Sequence, residues 1–167
     1  MTFTNPQGTR GARQPRGRFL AGRNRRAARR AGRATGDLLA LTTIGRRTGQ
    51  ERSTPVGGFP GGDGSWIVVA SAAGARANPA WYLNLAAHPD RATVTTGGRT
   101  VPVVAEELHG AERAAAWRTV TTTSPGFAGY QARTDRELPV IRLTPAARPV
   151  ATEPGNASGP TIAPRRR

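Results

Sequence analysis

Three arginines stand within seven residues of one short segment of this 167-residue chain. Arg46, Arg47 and Arg52 follow an apolar run and lie around Gly45 and Gly49. Guanidinium groups present forked donors that match phosphate or carboxylate oxygens, and glycines permit the positive φ and the close backbone approach that a turn around an anion needs. The segment therefore predicts a site for a phosphorylated ligand. A hairpin with a solvated basic tip is the alternative that the segment alone leaves open.

Few other side chains are suited to catalysis. There is no cysteine, which excludes disulfides, thiolate chemistry and cysteine-ligated metals. Neither His88 nor His109 has a partner at metal-ligand spacing, so no metal site is predicted. No Gly-x-Ser-x-Gly segment is present, and the neighbours Glu106 and Glu107 fall on a predicted strand, where their side chains point to opposite faces. A protein with an anion site and so little acid–base chemistry is expected to leave its reaction to a bound cofactor.

The basic charge is concentrated at the two ends of the chain. All 25 basic residues are arginine and the net charge is +15. Ten arginines precede Gly36 and three end the chain, whereas residues 36–148 hold twelve arginines against nine acidic residues. We predict a flexible basic arm over residues 1–35, in which 23–33 becomes helical on an anionic surface, and a disordered tail over 149–167.

The arm's charge indicates a partner, and the absence of a spanning segment indicates a compartment. An anionic membrane surface is the favoured partner; nucleic acid is less favoured because the arm lacks interleaved aromatic residues for base stacking, and a solvated tail without a partner stays open. No apolar run approaches the roughly 20 residues that span a bilayer, and no signal-peptide core is visible. We expect a soluble, cytoplasmic protein with peripheral attachment to the inner face of the membrane through the arm.

The body of the chain alternates short apolar runs with turns. Strands are predicted at 38–43, 53–59, 66–70, 91–96, 99–108 and 138–143. Gly97-Gly98 has the composition of a two-residue hairpin turn. One helix is predicted to begin with Asn78 as N-cap and Pro79 at the first helical position, and a second over residues 111–122. Mostly sequential hairpins with few helices predict one mainly β, α+β domain over residues 36–148, a small β-barrel with helical additions.

Five segments, taken together and in order, resemble a known family. They are residues 41–52 (Leu-Thr-Thr-Ile-Gly-Arg-Arg-Thr-Gly-Gln-Glu-Arg), Val69-Ala70-Ser71, residues 78–85 (Asn-Pro-Ala-Trp-Tyr-Leu-Asn-Leu), His88-Pro89 and residues 130–140 (Tyr-Gln-Ala-Arg-Thr-Asp-Arg-Glu-Leu-Pro-Val). The set closely resembles the deazaflavin-dependent nitroreductases and quinone reductases of actinobacteria, and it covers about residues 37–145. The resemblance implies a split, FMN-binding-like β-barrel that uses coenzyme F-420, an 8-hydroxy-5-deazaflavin derivative. FMN is the less favoured cofactor.

The resemblance also implies which residues bind the cofactor. Arg46, Arg47 and Thr48 would contact its phosphate and acidic tail, with Arg52 assisting. The ring would lie along two strand segments and be covered by the helix that follows. The remaining implied contacts are Ser53, Thr54, Pro55, Val56, Gly57, Val69, Ala70, Ser71, Ala72, Ala80, Trp81, Tyr82, Leu83 and Asn84. On spacing alone, the two aromatic residues of that helix are equally consistent with a core position.

The implied reaction is hydride transfer from C5 of the reduced deazaflavin to a quinone, a nitro-aromatic or another electron-poor acceptor. Ser71 is a candidate for a hydrogen bond to the ring or acceptor, and Tyr130 for orienting the acceptor or donating a proton; backbone bonding by the serine and simple packing of the tyrosine stay open. Ser124 and Phe127 are expected in the acceptor pocket, where nitroreducing members hold tyrosines, and Gly57 stands where they hold a bulky aromatic. We therefore expect a more open pocket with fewer hydroxyls.

Other functions remain open at this stage. One is a deazaflavin-binding carrier without turnover, which the altered pocket suggests. A second is a split barrel that binds FMN or haem breakdown products. A third is a nucleic-acid-binding barrel in which the turn's arginines extend the basic surface of the arm. Because split barrels often dimerise, a homodimer is also expected by analogy with the fold.

Overall fold

The computed structural model describes residues 3–14, 18–33 and 37–146. Within them, six antiparallel strands close into a barrel in the order β1-β2-β3-β6-β5-β4. The strands are β1 (Leu38–Ile44), β2 (Glu51–Pro60), β3 (Trp66–Val69), β4 (Ala92–Thr96), β5 (Arg99–Glu107) and β6 (Val140–Pro145). The six predicted strands are confirmed, each shifted by at most a few residues at its ends. The α+β barrel class is confirmed as well.

Alternation along the strands separates an inner core from an outer one. Leu39, Leu41 and Val56 belong to the cluster that fills the barrel, together with side chains from β3 to β6. Helix α2 (Ala80–Ala87) adds buried apolar side chains to the same cluster. A second cluster, which includes Phe59, lies on the outer face under α3 (Gly110–Thr123) and α4 (Gly126–Ala132). The barrel thus has one covered outer face in addition to its filled interior.

The first described residues differ from the predicted flexible arm. Helix α1 (Arg18–Arg33) packs against β1, β2 and β4, and its Ala28, Ala31 and Gly32 are buried. A Cβ on Gly32 would lie only 3.0 Å from Thr95 Cγ2, so the helix approaches the sheet closely through its small residues. This packing, which composition does not reveal, orders the segment without an anionic surface. Residues 1–2, 15–17 and 34–36 and the predicted tail over 149–167 lie outside the described residues.

Residues 3–14 form an extended segment, the N-terminal strap, that lies against the body of the protein. The backbone amide of Gly8 donates to Arg76 O (2.8 Å), and Ala12 forms a parallel bridge with Ala75. The Phe3 ring packs edge-on against Tyr82, with 5.4 Å between the ring centroids. The strap is therefore part of the folded domain, contrary to the composition-based prediction.

One predicted turn is confirmed, and one predicted helix cap is not. The Gly97-Gly98 turn is confirmed: both residues have positive φ (+53° and +76°), and they join β4 to β5 with Thr96 opposite Arg99. The predicted helix cap at Asn78 is wrong, because α2 begins at Ala80 without a side-chain cap. The asparagine side chain is instead occupied by hydrogen bonds to other segments, described below.

Candidate functional site

The segment Gly45–Arg52, here called the arginine turn, joins β1 to β2 at the rim of the barrel. The amide of Gly45 donates to Gln50 O (2.8 Å), and the amide of Gly49, with φ of +66°, donates to Gly45 O (2.7 Å). A Cβ at position 45 would lie 2.8 Å from Thr48 Oγ1, which explains the glycine there. The turn leaves Arg46, Arg47, Thr48 and Arg52 exposed, and its arginines form no ion pair within the described residues.

Asn84 of α2 fixes the turn from below. Its Oδ1 accepts a hydrogen bond from the backbone amide of Arg46 (3.1 Å), and its Nδ2 donates to Thr43 Oγ1 (3.0 Å). The side chain is buried. The structure thus places this predicted cofactor contact beneath the turn, where it holds the backbone that carries the arginines.

Strand β2 leads from the arginine turn along the outside of the barrel. Val56 points into the barrel core, so the alternation places Ser53, Pro55 and Gly57 on the outer face and Thr54 on the inner one. The outer residues are half-buried, and the hydroxyl of Ser53 bonds that of Thr42 on β1 (2.8 Å). From Arg52 to Gly57 the strand covers about 17 Å. Of the β2 residues predicted to contact the cofactor, only Ser53, Pro55 and Gly57 therefore share the outer face.

An aromatic cluster stands at the far end of this face. The Phe127 ring packs edge-on against both Phe59 and Tyr130, with centroid distances of 5.5 Å, and a Cβ on Gly57 would lie 3.7 Å from Phe127 Cζ. The Tyr130 hydroxyl forms no hydrogen bond within the described ranges. Ser124, half-buried at the end of α3, accepts the amide of Phe127 through its carbonyl (3.1 Å). The structure thus brings three predicted acceptor-pocket residues together.

The segment Ala70–Asn78, called the site loop, follows β3 beside this cluster. Val69 packs in the outer core and Ala70 in the barrel interior. Ser71 is half-buried, and its hydroxyl has no partner in the part of the chain that the structure describes. The next residue, Ala72, begins a short 3-10 helix that ends at Gly74 and packs on α4, the helix of Tyr130. The two candidate catalytic residues therefore come from adjoining elements.

The aromatic residues of α2 lie in the barrel core, the position that their spacing left open. Tyr82 is fully buried, and its hydroxyl donates to Glu107 Oε2 (2.7 Å) and accepts from the backbone amide of Asn5 (2.8 Å). Burial, with the hydrogen bond to Glu107, raises the pKa of Tyr82 above its ordinary value. Trp81 is buried in the same cluster, Leu83 packs against it, and Ala80 is exposed. These aromatic side chains close the barrel.

Arg136 was not among the residues predicted for the site. Its side chain is 2% exposed, and its guanidinium donates to Ala75 O (2.7 Å), Asn78 Oδ1 (2.6 Å), Ala70 O (2.9 Å) and Ser71 O (3.0 Å). Burial lowers its pKa to about 10, so it stays charged at neutral pH. Arg136 lies in one of the segments that carry the family resemblance, but its local pattern does not reveal its role, because an arginine between Asp135 and Glu137 has the pattern of a solvated charge.

A closed six-stranded antiparallel barrel with added helices is the split-barrel fold of F420-dependent reductases. One protein-family model matches most of the chain. The chain belongs to the F420H(2)-dependent quinone reductase family, whose model matches residues 18–145.

Individual relatives support this assignment. Over 109 residues the chain is 35% identical to the F420H(2)-dependent quinone reductase Rv1261c of Mycobacterium tuberculosis, which spans 64% of this chain and 72% of that protein. Among solved structures it is similar to an F420-H2 dependent reductase, FDR-A, at 33% identity and a TM-score of 0.59, covering 64% of this chain and 93% of the other. A structure described as a domain-swapped dimer matches at 28% identity and a TM-score of 0.61, over 75% of this chain and 96% of the other.

The family match confirms the predicted family, the split-barrel fold and a reductase dependent on coenzyme F-420. It also favours a quinone among the acceptor classes that the sequence left open. Within residues 3–14, 18–33 and 37–146, no helix combines the length and the apolar character needed to cross a membrane.

Proposed function

We propose that this protein reduces a quinone with reduced coenzyme F-420, which it holds along the arginine turn, the outer face of β2 and the site loop. When bound, the reduced coenzyme supplies a hydride. The observation that carries this placement is the outer face of β2, which runs from the arginine turn, whose arginines have no acidic partner among the described residues, to the aromatic cluster of Phe59, Phe127 and Tyr130. Such a face suits an elongated cofactor with an anionic tail at one end and a flat ring at the other.

The arginine turn would hold the tail. Arg46, Arg47 and Arg52 have guanidinium donors that no carboxylate occupies within the described residues, and Thr48 adds an exposed hydroxyl. Hydrogen bonds between ionised partners are about twice as strong as neutral ones, and a planar fork binds phosphate in a defined orientation. The backbone of the turn is already fixed by Asn84, so little ordering is required on binding.

The ring would lie against Ser53 and Pro55 of β2 and against the start of the site loop, with Gly57 at its edge toward the acceptor. The half-buried Ser71 hydroxyl is available for a hydrogen bond to the ring or to the acceptor. Of the inner-facing members of the predicted contact set, Thr54, Val56 and Ala70 can contribute only through the backbone.

The acceptor would occupy the space bounded by Gly57, Ser124, Phe127 and Tyr130. Tyr130 orients the acceptor or donates a proton to its oxygen, since its hydroxyl has no partner within the described residues. Phe127 provides an apolar surface next to the open side of Gly57, where a Cβ would make only ordinary contacts. A flat quinone ring fits a pocket with aromatic walls and one hydroxyl.

Ligand titration of the purified full-length protein tests the cofactor assignment. Oxidised F-420, FMN and FAD are compared with the deazaflavin chromophore that lacks the phosphate tail. We expect binding of F-420 at micromolar concentration. The double variant Arg46→Ser, Arg47→Ser should weaken it about 100-fold, or ~2.7 kcal/mol, and leave binding of the tail-less chromophore unchanged. Arg99→Ser with Arg118→Ser is the matched control for lost surface charge. Failure of the wild type to bind F-420 would reject the proposal.

Turnover separates the reductase from a carrier. The absorbance of reduced F-420 is followed after addition of menadione or of a nitroimidazole. Oxidation that depends on menadione supports the proposed function, and Tyr130→Phe should lower kcat/KM about tenfold without changing F-420 affinity. Tight F-420 binding without oxidation by either acceptor would support a carrier instead.

We also propose that α1 attaches the protein to an anionic membrane surface, where lipid-soluble quinones reside. Its exposed basic residues are Arg23, Arg25, Arg26, Arg29, Arg30 and Arg33. The helix contains no acidic residue, and each arginine near such a surface contributes about 1 kcal/mol. Deleting the segment would be a poor test, because α1 and the strap pack on the barrel.

The test replaces those six arginines with glutamine and measures binding to vesicles of phosphatidylcholine with and without phosphatidylglycerol. We expect binding only to the anionic vesicles, and its loss in the variant. Duplex and single-stranded DNA are measured in parallel. Salt-dependent binding to DNA but not to vesicles would replace the membrane proposal with a nucleic-acid partner.

A homodimer is a further proposal, supported by the similarity to a structure described as a domain-swapped dimer. Light scattering coupled to size exclusion gives the mass directly. A monomer across micromolar concentrations would reject it.

A further inference from the structure

The guanidinium of Arg136 is buried behind the site loop and donates four hydrogen bonds to it. Its four acceptors belong to the start, the middle and the end of that loop, at Ala70, Ser71, Ala75 and Asn78. None of these acceptors is a carboxylate, and the residue forms no ion pair among the described residues. A buried charge without a counter-ion is costly, so its presence calls for a reason.

We propose that Arg136 is a positioning residue for the cofactor site, which holds the site loop in the shape that presents Ser71 to the deazaflavin ring. The inference rests on the proposed placement of the ring along Val69–Ala72. It concerns how the chain builds that surface, and it assigns a role to a residue that does not itself touch the cofactor.

The loop needs such a support because its backbone is strained. Ala72 and Ala73 have φ of +44° and +54°, and such conformations cost about 1–3 kcal/mol each for residues other than glycine. They persist only where the surroundings impose them. Next to them, a Cβ on Gly74 would lie 2.6 Å from Tyr130 O, so α4 confines the loop from its other side. Arg136 supplies the inner constraint that α4 cannot.

The hydrogen bonds also determine which groups of the loop face outward. In a trans peptide the carbonyl and the amide that follows it point in opposite directions. Because the Ser71 carbonyl is turned toward Arg136, the Ala72 amide of the same peptide points away from it. The Ser71 hydroxyl has no intramolecular partner among the described residues. The buried guanidinium thus draws the acceptors inward and leaves donors for a ligand.

Only the arginine fork fits this arrangement. Its three nitrogens reach acceptors spread over nine residues of chain, whereas a lysine ammonium is a single centre with three donors. Asn78 extends the same support, since its Nδ2 donates to Asn5 Oδ1 (3.0 Å) and Pro6 O (3.1 Å) in the strap. The loop is therefore held from the inside by Arg136 and from the outside by the strap.

The test separates ring binding from tail binding in the full-length protein. Arg136→Gln and Arg136→Lys are titrated with the tail-less chromophore and with whole F-420. The control is Arg113→Gln, which also removes an arginine bonded to a backbone carbonyl, that of Leu138, but leaves the site loop untouched. The unfolding transition of each variant is recorded, and titrations are made well below it.

We expect Arg136→Gln to weaken binding of the chromophore and of whole F-420 by the same factor, about tenfold, and Arg136→Lys by at least threefold. At saturating F-420 the induced circular dichroism of the bound chromophore should fall in both variants and stay unchanged in the control. Wild-type affinity and an unchanged signal in either folded variant would overturn the inference. If the wild type binds neither ligand, the proposed function fails first, and the two failures are thus distinguishable.

Discussion

The chain uses arginine in two opposite ways, in the arginine turn and behind the site loop. In the turn, Arg46, Arg47 and Arg52 are exposed, and no described residue pairs with them. Behind the loop, Arg136 is buried, and each of its three nitrogens donates to an oxygen of the chain. The first set leaves its guanidinium donors for a ligand, whereas the second directs four hydrogen bonds to oxygens of the chain.

The difference distinguishes an arginine that binds the ligand from an arginine that shapes the binding site, which the residue type alone does not. A charged group with unused donors on a preformed backbone can bind an anion at little cost in ordering. A buried charged group that donates to several backbone oxygens contributes through the shape that it imposes on its partners. Both kinds of residue affect cofactor binding, but through different parts of the cofactor.

The largest expected contrast is in stability. Arg136→Met should lower the free energy of unfolding by about 3 kcal/mol or more, because several buried oxygens lose their donor and each such loss costs about 1–3 kcal/mol. Arg47→Met, the matched change in the turn, should alter it by less than about 0.5 kcal/mol. Urea denaturation of both variants measures the difference. Equal free energies of unfolding for the two variants would contradict the structural role of Arg136 that distinguishes it from the arginines of the turn.

The two regions also differ in how far sequence reasoning reaches. Alternating apolar residues and paired glycines are local signals, so the six strands and the arginine turn could be predicted from them. Arg136 could not, because its acceptors lie about sixty residues away and its burial exists only in the folded chain. The short helix α4 was missed because Gly126 and Gly129 weaken its pattern. For residues 23–33 a helix was predicted only on an anionic surface, and the packing of α1 on the barrel was missed because its small buried residues resemble those of a flexible tail.

Strand β2 offers a second and smaller contrast at adjacent glycines. A Cβ on Gly58, which faces the interior, would lie 2.2 Å from Leu39 Cδ1, whereas a Cβ on Gly57 would meet Phe127 Cζ at 3.7 Å. Gly58→Ala should cost about 1–3 kcal/mol by overpacking, and Gly57→Ala less than about 0.5 kcal/mol. Thermal denaturation compares the two. A tolerated Gly58→Ala would contradict the tight packing of this strand on β1.

A bulky residue at Gly57 sharpens the distinction between the cofactor and acceptor regions. Gly57→Phe would add a ring beside Phe127, whose Cζ lies 3.7 Å from the position of a Cβ on Gly57. We expect KM for a naphthoquinone to rise about tenfold, KM for a smaller benzoquinone to change less, and affinity for the tail-less chromophore to fall less than threefold. Steady-state kinetics with both quinones test this. An equal loss with the two acceptors would argue that position 57 contacts the ring rather than the acceptor.

The smallest expected effect concerns how the strap holds the site loop from outside. The side-chain hydrogen bond from Thr9 and the backbone amide of Arg10 lower the pKa of the Asp135 carboxyl from 3.8 to about 2. Because the folded-state pKa is the lower one, this attachment is at full strength above about pH 4 and is lost as the pH falls toward 2. Hydrogen exchange at the amides of Thr9 and Arg10 should therefore speed up across that interval.

The same experiment separates the strap from the arginine turn. In Asp135→Asn the two strap amides should exchange faster at about pH 5 and show little further acceleration down to about pH 2.5, after correction for the intrinsic rate. The amide of Gly49, bonded to a backbone carbonyl, should behave alike in both proteins. An unchanged pH profile in Asp135→Asn would mean that another acid controls the strap.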